Sequence, residues 1–439
     1  MASTYLNRTV ASASNRRTWT YSAWIKRSGI GNTQTLLVSW SDGNNHSKIR
    51  LESDKVHVYD LTSGSFSYQV KTNRTLKDTS AWYHIVVAFD TTQSTASDRL
   101  KIYINGEQET SLAESSYPAE DYEGFINRNR VHSIGYNANN SNYFDGYMSH
   151  VALVDGTALT PTSFGQTDST SGIWKFKQPT GITWGTNGFH LKFENSGALG
   201  TDSSGNTNTF TVNGNLKQSI DTPSNVYPTL NVLAQTAGNT QIDSANLEFN
   251  MTSDAGQRMY ISTIGADTGK WYFEAKLVAK GNTGGSVPYI GAYSYKDYTN
   301  TYVGSNHGVG YNINGNVYLL GADLGNSGTT YDNGDIVGCA LDITNSKVYF
   351  HKNGTYINSG NPSSGSNGYN ISTLTAKGTL GLAVSLYDNN GNWDLNYGAG
   401  LFGATAITSA GSNGNGSLFE YDVPTGYYAL NTKNLNTYG

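Results

Sequence analysis

The chain has 439 residues, with 28 Lys and Arg against 33 Asp and Glu and a net charge of −5. That length allows two or three domains, each large enough to bury a core without disulfides, and the acidic balance leaves no basic footprint for nucleic acid. No apolar run approaches 18 residues, so no membrane insertion is expected. Charged residues make up only 14%, against roughly 25% in ordinary soluble domains. Polarity comes instead from Asn, Ser and Thr. With 50 Gly, 31 Tyr and 8 Pro, this describes a turn-rich, aromatic-rich all-β chain with an extracellular type of surface.

Strand candidates begin near the amino terminus. Residues 18–26, 35–40, 48–51, 55–59, 67–71, 82–90, 100–104, 131–135 and 147–154 are short alternating or apolar runs separated by turn residues. Strands so spaced read as a sandwich of the jelly-roll kind. Residues 159–165, Leu-Thr-Pro-Thr-Ser-Phe-Gly, are expected to form one short helical turn closing a first domain at 1–165. Residues 166–234 read as a bridge in which Trp174, Trp184 and 189–193 add a few strands. Within it, 201–208 reads as a tight polar loop and Asp221-Thr222-Pro223-Ser224-Asn225 as an extended connector. A second sandwich is placed at 235–405, with strands at 247–251, 259–262, 269–279, 289–292, 308–312, 316–319, 335–342, 347–354, 379–386 and 393–397. Residues 406–439 are Gly/Ser/Asn-rich up to Leu418 and then aromatic over 419–430. That last segment is expected to pack back on a sandwich, because its rings are costly to leave solvated. Helical periodicity longer than two turns is missing.

One unit recurs about 250 residues apart. Residues 82–90 end on Asp90 and lead to Leu100-Lys101-Ile102-Tyr103-Ile104-Asn105-Gly106. Residues 335–342 end on Asp342 and lead to Lys347-Val348-Tyr349-Phe350-His351-Lys352-Asn353-Gly354. Asn-Gly tolerates positive φ at both positions and closes tight hairpins. The repetition predicts two antiparallel β-sandwiches in tandem.

Few residues point to chemistry. The single cysteine, Cys339, lies in an apolar strand and reads as packing. The eight histidines show no metal-ligand spacing, and His84 reads as structural. Glu420-Tyr421-Asp422 has the alternation that places two acids on one face, but Pro424 stands at the third position; Glu120-Asp121-Tyr122-Glu123 lacks alternation. The expectation is therefore a protein that is not an enzyme. The ligand-binding candidates are Tyr295, Tyr298 and Tyr302 in a polar loop, with Tyr387 and Trp393 around 388–392 at the same end of the sandwich. Such rings stack on sugars or grip a protein partner, and the alternative is that they fill the sandwich.

The residues also carry a resemblance. Tyr5-Leu6-Asn7-Arg8-Thr9, residues 17–27, Ala81-Trp82-Tyr83-His84-Ile85-Val86-Val87, the 102–106 hairpin and Tyr143-Phe144-Asp145-Gly146-Tyr147-Met148 resemble a laminin-G/concanavalin-A-like domain. The form is that of virion structural proteins of tailed phages, marine phages especially. Gly269-Lys270-Trp271-Tyr272-Phe273-Glu274, Gly308-Val309-Gly310-Tyr311, Gly334-Asp335-Ile336-Val337-Gly338 and the 349–354 hairpin are similar, in this order, to a SPRY domain. The resemblance implies a virion surface protein (tail fibre, head fibre or capsid decoration) that adheres to host-surface glycan or receptor protein. Its implied partners are other virion proteins and further copies of itself, with a trimer as the expectation. The amino terminus lacks an apolar signal region, which fits assembly in a host cytoplasm. As in some laminin-G-like domains, Asp202 and Asn206, with Asp145 nearby, offer hard oxygens to calcium; Asp-Ser-Ser-Gly-Asn is equally good turn chemistry. Two rival functions stay open: a purely structural assembly protein without external ligand, and a polysaccharide-degrading enzyme.

Overall fold

The computed structural model describes residues 4–139, 141–234, 240–253, 256–282, 288–296, 298, 301–387, 389–407 and 409–439. The chain divides into two compact units, Met1–Gln218 and Ser219–Gly439.

In the first unit two antiparallel sheets enclose one core. The larger has eight strands in the order Leu112–Ser116, Ser65–Thr75, Lys55–Thr62, Asn45–Glu52, Gln34–Asp42, Val131–Ile134, Tyr5–Thr9 and Thr211–Asn213. The smaller has six: Phe189–Leu191, Gly146–Asp155, Thr18–Arg27, Trp82–Asp90, Leu100–Ile104 and Glu107–Gln108. Alternate side chains point to opposite faces of a strand. Ile49, Leu51, Val56, Val58 and Val70 of the larger sheet therefore share one core with Ala23, Ile25, Ile85, Val87 and Ile102 of the smaller. Full burial of such an aliphatic side chain stabilises by about 1.5–3 kcal/mol.

The segment read as a bridge supplies strands to this unit. Phe189–Leu191 pairs with Gly146–Asp155, and Thr211–Asn213 pairs with Tyr5–Thr9. The division between units falls after Gln218, inside 166–234. A single 3-10 turn, Pro161–Ser163, stands where a helical turn was expected. A short pair, Gly165–Thr167 with Trp174–Phe176, follows it and covers part of the outer face of the smaller sheet. The Trp174 ring lies so close over Gly106 and Gly165 that a Cβ would come within 2.5 and 2.4 Å of it. Its Nε1 donates to His84 Nδ1 at 3.0 Å, and His84 Nε2 meets Ser22 Oγ at 2.9 Å. His84 is thus a neutral ring protonated on Nε2. It stacks on Trp24 at 4.6 Å. Nearby, His150 stacks on Phe176 at 3.9 Å and Trp184 on His190 at 5.3 Å, while His150 Nδ1 and His190 Nε2 lie 3.2 Å apart.

The second unit is again built on two large sheets, antiparallel apart from one short parallel pairing. One contains the path Thr240–Asp243, Glu248–Met251, Gly391–Asn396, Lys270–Lys280, Ile336–Asp342, Lys347–Lys352 and Thr355–Tyr356. The other contains Arg258–Ala266, Leu380–Leu386, Tyr289–Ser294, Gly308–Asn312, Asn316–Leu319 and Ala322–Asn326. Their shared core holds Phe249, Trp271, Phe273, Ile290, Val309, Val337, Leu382 and Leu395. Cys339 is buried in it, and burial pushes its thiol well up, as a packing role requires.

The doubled unit forms as its sequence predicts. Asn105 and Gly106 have φ of 50° and 85°, Asn353 and Gly354 of 47° and 83°. Each asparagine also ties its hairpin to the strand before it. Asn105 Oδ1 accepts from His84 N–H at 2.8 Å, and Asn353 Oδ1 from Ile336 N–H at 2.9 Å. In both copies the same asparagine's own N–H donates back to that residue's carbonyl, at 2.9 and 2.8 Å.

The carboxy-terminal aromatic segment packs back on the second unit. Tyr428–Ala429 pairs in parallel with Lys270–Lys280, and Phe419, Val423 and Tyr427 are buried with Tyr272 and Ala340. Glu274 holds it. Its Oε2 accepts from Glu420 N–H at 2.8 Å, and Oε1 accepts from Tyr421 N–H at 2.9 Å and Tyr272 O–H at 2.8 Å. Burial pushes this carboxyl up to about 7 against the pull of those donors. A seven-residue helix, Thr432–Tyr438, follows; Asn431 caps it by accepting from Asn434 N–H at 2.8 Å.

Candidate functional site

The tyrosine loop lies on the outer face of the second unit's smaller sheet and is largely absorbed by it. Tyr295 O–H donates to the Ser262 carbonyl, and Tyr298 O–H to the Met259 carbonyl at 2.8 Å. Tyr302 packs 5.0 Å from Tyr289. All three rings join a small cluster with Met259, Ile261 and Val303. Asp297, Thr299 and Asn300 lie outside the described residues, as does Asp388. Tyr387 is exposed at the end of Leu380–Leu386. Trp393 requires correction as a surface ring. It is fully buried, because Gly391–Asn396 runs between Glu248–Met251 and Lys270–Lys280 and its odd positions face the core; Nε1 donates to the Ser385 carbonyl at 3.2 Å. The structure therefore does not bring the five candidates together.

Asp202 organises a turn. Oδ1 accepts from His190 and Ser204 N–H, both at 2.9 Å, and Oδ2 from Ser204 O–H and Asn208 N–H, both at 2.8 Å. Asn206 turns its amide to the carbonyls of Gly185 (2.6 Å) and Gly188 (3.0 Å). A calcium ion at Asp202 would face four donor hydrogens, so these residues do not fit the metal as they stand. The acids weighed for hydrolysis are engaged elsewhere. Glu120, Asp121 and Glu123 pair with Arg99, Arg17 and Arg16, and Asp422 accepts from Ser412 N–H at 2.6 Å.

A different face brings polar and aromatic side chains together: the outer side of the eight-stranded sheet. Because Ile49, Leu51, Val56 and Val58 face the core, His46, Lys48, Arg50 and Glu52 on one strand and His57 and Tyr59 on the next face outward. Register sets them side by side, Lys48 opposite Tyr59 and Arg50 opposite His57, with Trp40 opposite His46 on the third strand and Lys71 opposite His57 on the fourth. The rings form a shelf. Trp40 stacks on His46 at 4.9 Å, Tyr59 lies 4.8 Å from His57, and Phe66, 49% exposed, meets Tyr59 edge-on at 5.4 Å.

Cations stand among these rings. Lys48 Nζ lies 5.0 Å from the Trp40 ring and 5.8 Å from Tyr59, and the Arg50 guanidinium 4.6 Å from Tyr59. Burial, with Arg50 beside it, pulls the Lys48 ammonium down to about 7. Burial likewise takes His46 and His57 down to about 4. The one carboxylate in this group, Glu52, takes Arg50, Lys71 (2.6 Å) and His57 (3.1 Å). His46 Nδ1 donates to the Asp42 carbonyl at 3.1 Å, which leaves Nε2 as a buried lone pair with no partner; His57 Nε2 is also buried and without one. Sequence reasoning passed over this face, although His46-x-Lys48-x-Arg50-x-Glu52 and His57-x-Tyr59 carry the period of two that marks it.

Comparison with known proteins fits the two units. Residues 2–163 match the family model of the concanavalin A-like lectin/glucanases superfamily, and residues 270–399 match that of the SPRY domain. No curated protein matches. Among solved structures, the SPRY domain of human HERC1 is 16% identical, over 36% of this chain and 92% of that one, with a TM-score of 0.30. Domain 4 of AbnA, an extracellular arabinanase from Geobacillus stearothermophilus in complex with arabinotriose, is 18% identical over 36% and 69%, with a TM-score of 0.29. A heptameric SAP-like pentraxin from Limulus polyphemus is 16% identical over 36% and 71%, with a TM-score of 0.27. Likenesses of this size bear on neither ligand nor activity. The family matches and the two sandwiches agree: the chain carries a concanavalin A-like domain followed by a SPRY domain.

Proposed function

We propose that the protein is a non-enzymatic adhesion module that holds a host-surface saccharide on the outer face of its eight-stranded sheet. The observation carrying this reading is the pair of accessible rings, Trp40 and Phe66, backed by the buried rings of His46 and Tyr59, with Lys48 and Arg50 standing between them. Ring faces stack on the C–H side of a sugar, and polar groups set among them select its hydroxyl pattern. The setting we propose is the surface of a tailed-phage particle, as tail fibre, head fibre or decoration protein. Support for it comes from the low charge, the Asn/Ser/Thr-rich surface and the sequence words shared with such proteins. Display as a homo-oligomer, a trimer in the simplest case, would let weak sites act together through effective concentration.

The test is a glycan array probed with the purified chain, beside Trp40→Ala and Phe66→Ala. Retained saccharide is expected, with each variant losing about tenfold in affinity, or ~1.4 kcal/mol. Antibody against the chain should label intact particles, and reducing-sugar release from envelope polysaccharide should stay at background. Binding to no saccharide would refute the reading and favour an assembly protein that docks on other virion components. Released sugar would make the protein an enzyme.

A further inference from the structure

The charges on this face narrow the kind of saccharide it can hold, an inference that rests on the saccharide reading itself. Lys48, Arg50 and Lys71 stand on the face with Glu52, which already receives Arg50, Lys71 and His57, while Glu114 stands opposite Lys71 on the edge strand, away from Lys48. Lys48 is only 5% exposed, and its neighbours are the rings of Trp40 and Tyr59. Among the described residues no carboxylate reaches its ammonium. Ring faces offset the loss of water around a buried cation only in part, and such a group ordinarily has an ionic partner. The same face holds two further unmet groups, the lone pairs on His46 Nε2 and His57 Nε2. They lie at either end of the Lys48 row, since His46 and Arg50 are four residues apart on one strand and His57 stands opposite Arg50. Both rings pack against Tyr59, at 5.7 and 4.8 Å, so the two stand within the span of one or two sugar rings.

We propose that the saccharide held here is acidic, its carboxylate or sulfate seated against Lys48 and Arg50 while its ring lies against the accessible faces of Trp40 and Phe66. The anion supplies the partner that Lys48 lacks. A neutral sugar would leave the ammonium facing rings alone, and an anion without a sugar ring would leave Trp40 and Phe66 uncovered. Arg50 remains bound to Glu52 and contributes a guanidinium edge; Lys48 contributes the selectivity.

The test is calorimetric titration of the full chain with four probes: trigalacturonate, a sulfated heparin tetrasaccharide, neutral galactotriose and hexaglutamate. One of the acidic sugars is expected to bind at least about tenfold more tightly than galactotriose, with affinity falling as salt rises. Lys48→Met keeps the apolar stem and removes the charge; it should bring the acidic sugar down to the neutral level. Lys433→Gln, an exposed lysine of the other unit, should change nothing. Should Lys48→Met fail to fold by circular dichroism, the acid preference of the unaltered chain and its salt dependence still decide. Equal affinity for neutral and acidic sugars, or an unaffected Lys48→Met, overturns this inference and leaves the saccharide reading standing. Binding to none of the sugars overturns both. Hexaglutamate held as tightly as the acidic sugar makes the face a general anion site and overturns its sugar selectivity.

Discussion

Mild acid should loosen the cover over the smaller sheet of the first unit. His84 is buried and held at about 3, chiefly by burial, and its neutral form is also required by its contacts: Nδ1 accepts from Trp174 while Nε2 faces Ser22. A second proton would set an N–H on Nδ1 against the Trp174 N–H. Burial also lowers His150 to about 3 and His190 to about 4, with Lys192 adding to both shifts and Asp202 opposing at His190. Their rings meet Nδ1 to Nε2 at 3.2 Å, so charging both would oppose two donors. All three native values lie below the ordinary 6.5. Above that pH both folded and unfolded chains hold these rings neutral, and no cost arises. As pH falls below it, the unfolded chain takes up protons that the native fold refuses, and stability declines toward about pH 3–4.

At pH 5 the linkage cost of His84 alone is about 2 kcal/mol. With His150 and His190 it reaches about 4–6 kcal/mol, the lower figure allowing for water reaching His150. That is a large part of the 5–15 kcal/mol that holds a typical domain together. The assay is limited proteolysis within 166–187, run between pH 7.5 and 4 beside tryptophan fluorescence, with His84→Gln as comparison. Cleavage in this segment should rise below about pH 5.5 before the eight-stranded sheet unfolds, and His84→Gln should flatten part of the pH dependence. Identical cleavage and melting at pH 7.5 and 5, or a His84 resonance titrating near 6.5, would refute the reasoning.

The carboxylates carry two further expectations. Glu274→Ala removes the acceptor of three hydrogen bonds and should cost about 3–5 kcal/mol, with Glu274→Gln costing about 1–2; urea midpoints and new cleavage within 409–418 measure it, and a change under about 0.5 kcal/mol in both variants would show that the carboxy-terminal segment is held by its rings alone. Asp202→Ala should cost about 2–4 kcal/mol through its four orphaned donors, while chelator leaves the melting temperature of the unaltered chain in place. A chelator-induced drop of several degrees would restore the calcium reading.

The scaffold was readable because its signals are local. Asn-Gly at 105–106 and 353–354 needs only the chemistry of two residues to close a hairpin, and the apolar runs at 82–90 and 336–342 need only burial. Tyr295 and Tyr298 are drawn onto the sheet for a non-local reason. A ring in a polar loop is free only if no sheet face lies beneath it, and Tyr295 and Tyr298 find backbone carbonyls of Arg258–Ala266 more than thirty residues away. Trp393 failed on position in the sheet, since a ring next to a polar turn still faces the core when its strand is an inner one.

The shelf was half within reach. Glu52 pairs with Lys55 across a two-residue turn, and counting outward from that turn puts Arg50 opposite His57 and Lys48 opposite Tyr59 without any structure. The turn went unread because Ser53-Asp54 lacks the glycine that such a turn favours, although both residues have positive φ, 51° and 65°. Asp54 holds that conformation because its carboxylate is fixed from outside the hairpin, accepting from Arg27 Nη1 at 2.8 Å and Gly31 N–H at 2.6 Å. Trp40 and Phe66 could not be counted in at all, since register shifts lie between Thr35 and Leu37, between Trp40 and Asp42, and at Asp60 to Leu61. A bulge re-aims every side chain beyond it. The cations of the shelf thus follow from hairpin arithmetic, and its outer rings follow from irregularities that only the folded sheet reveals.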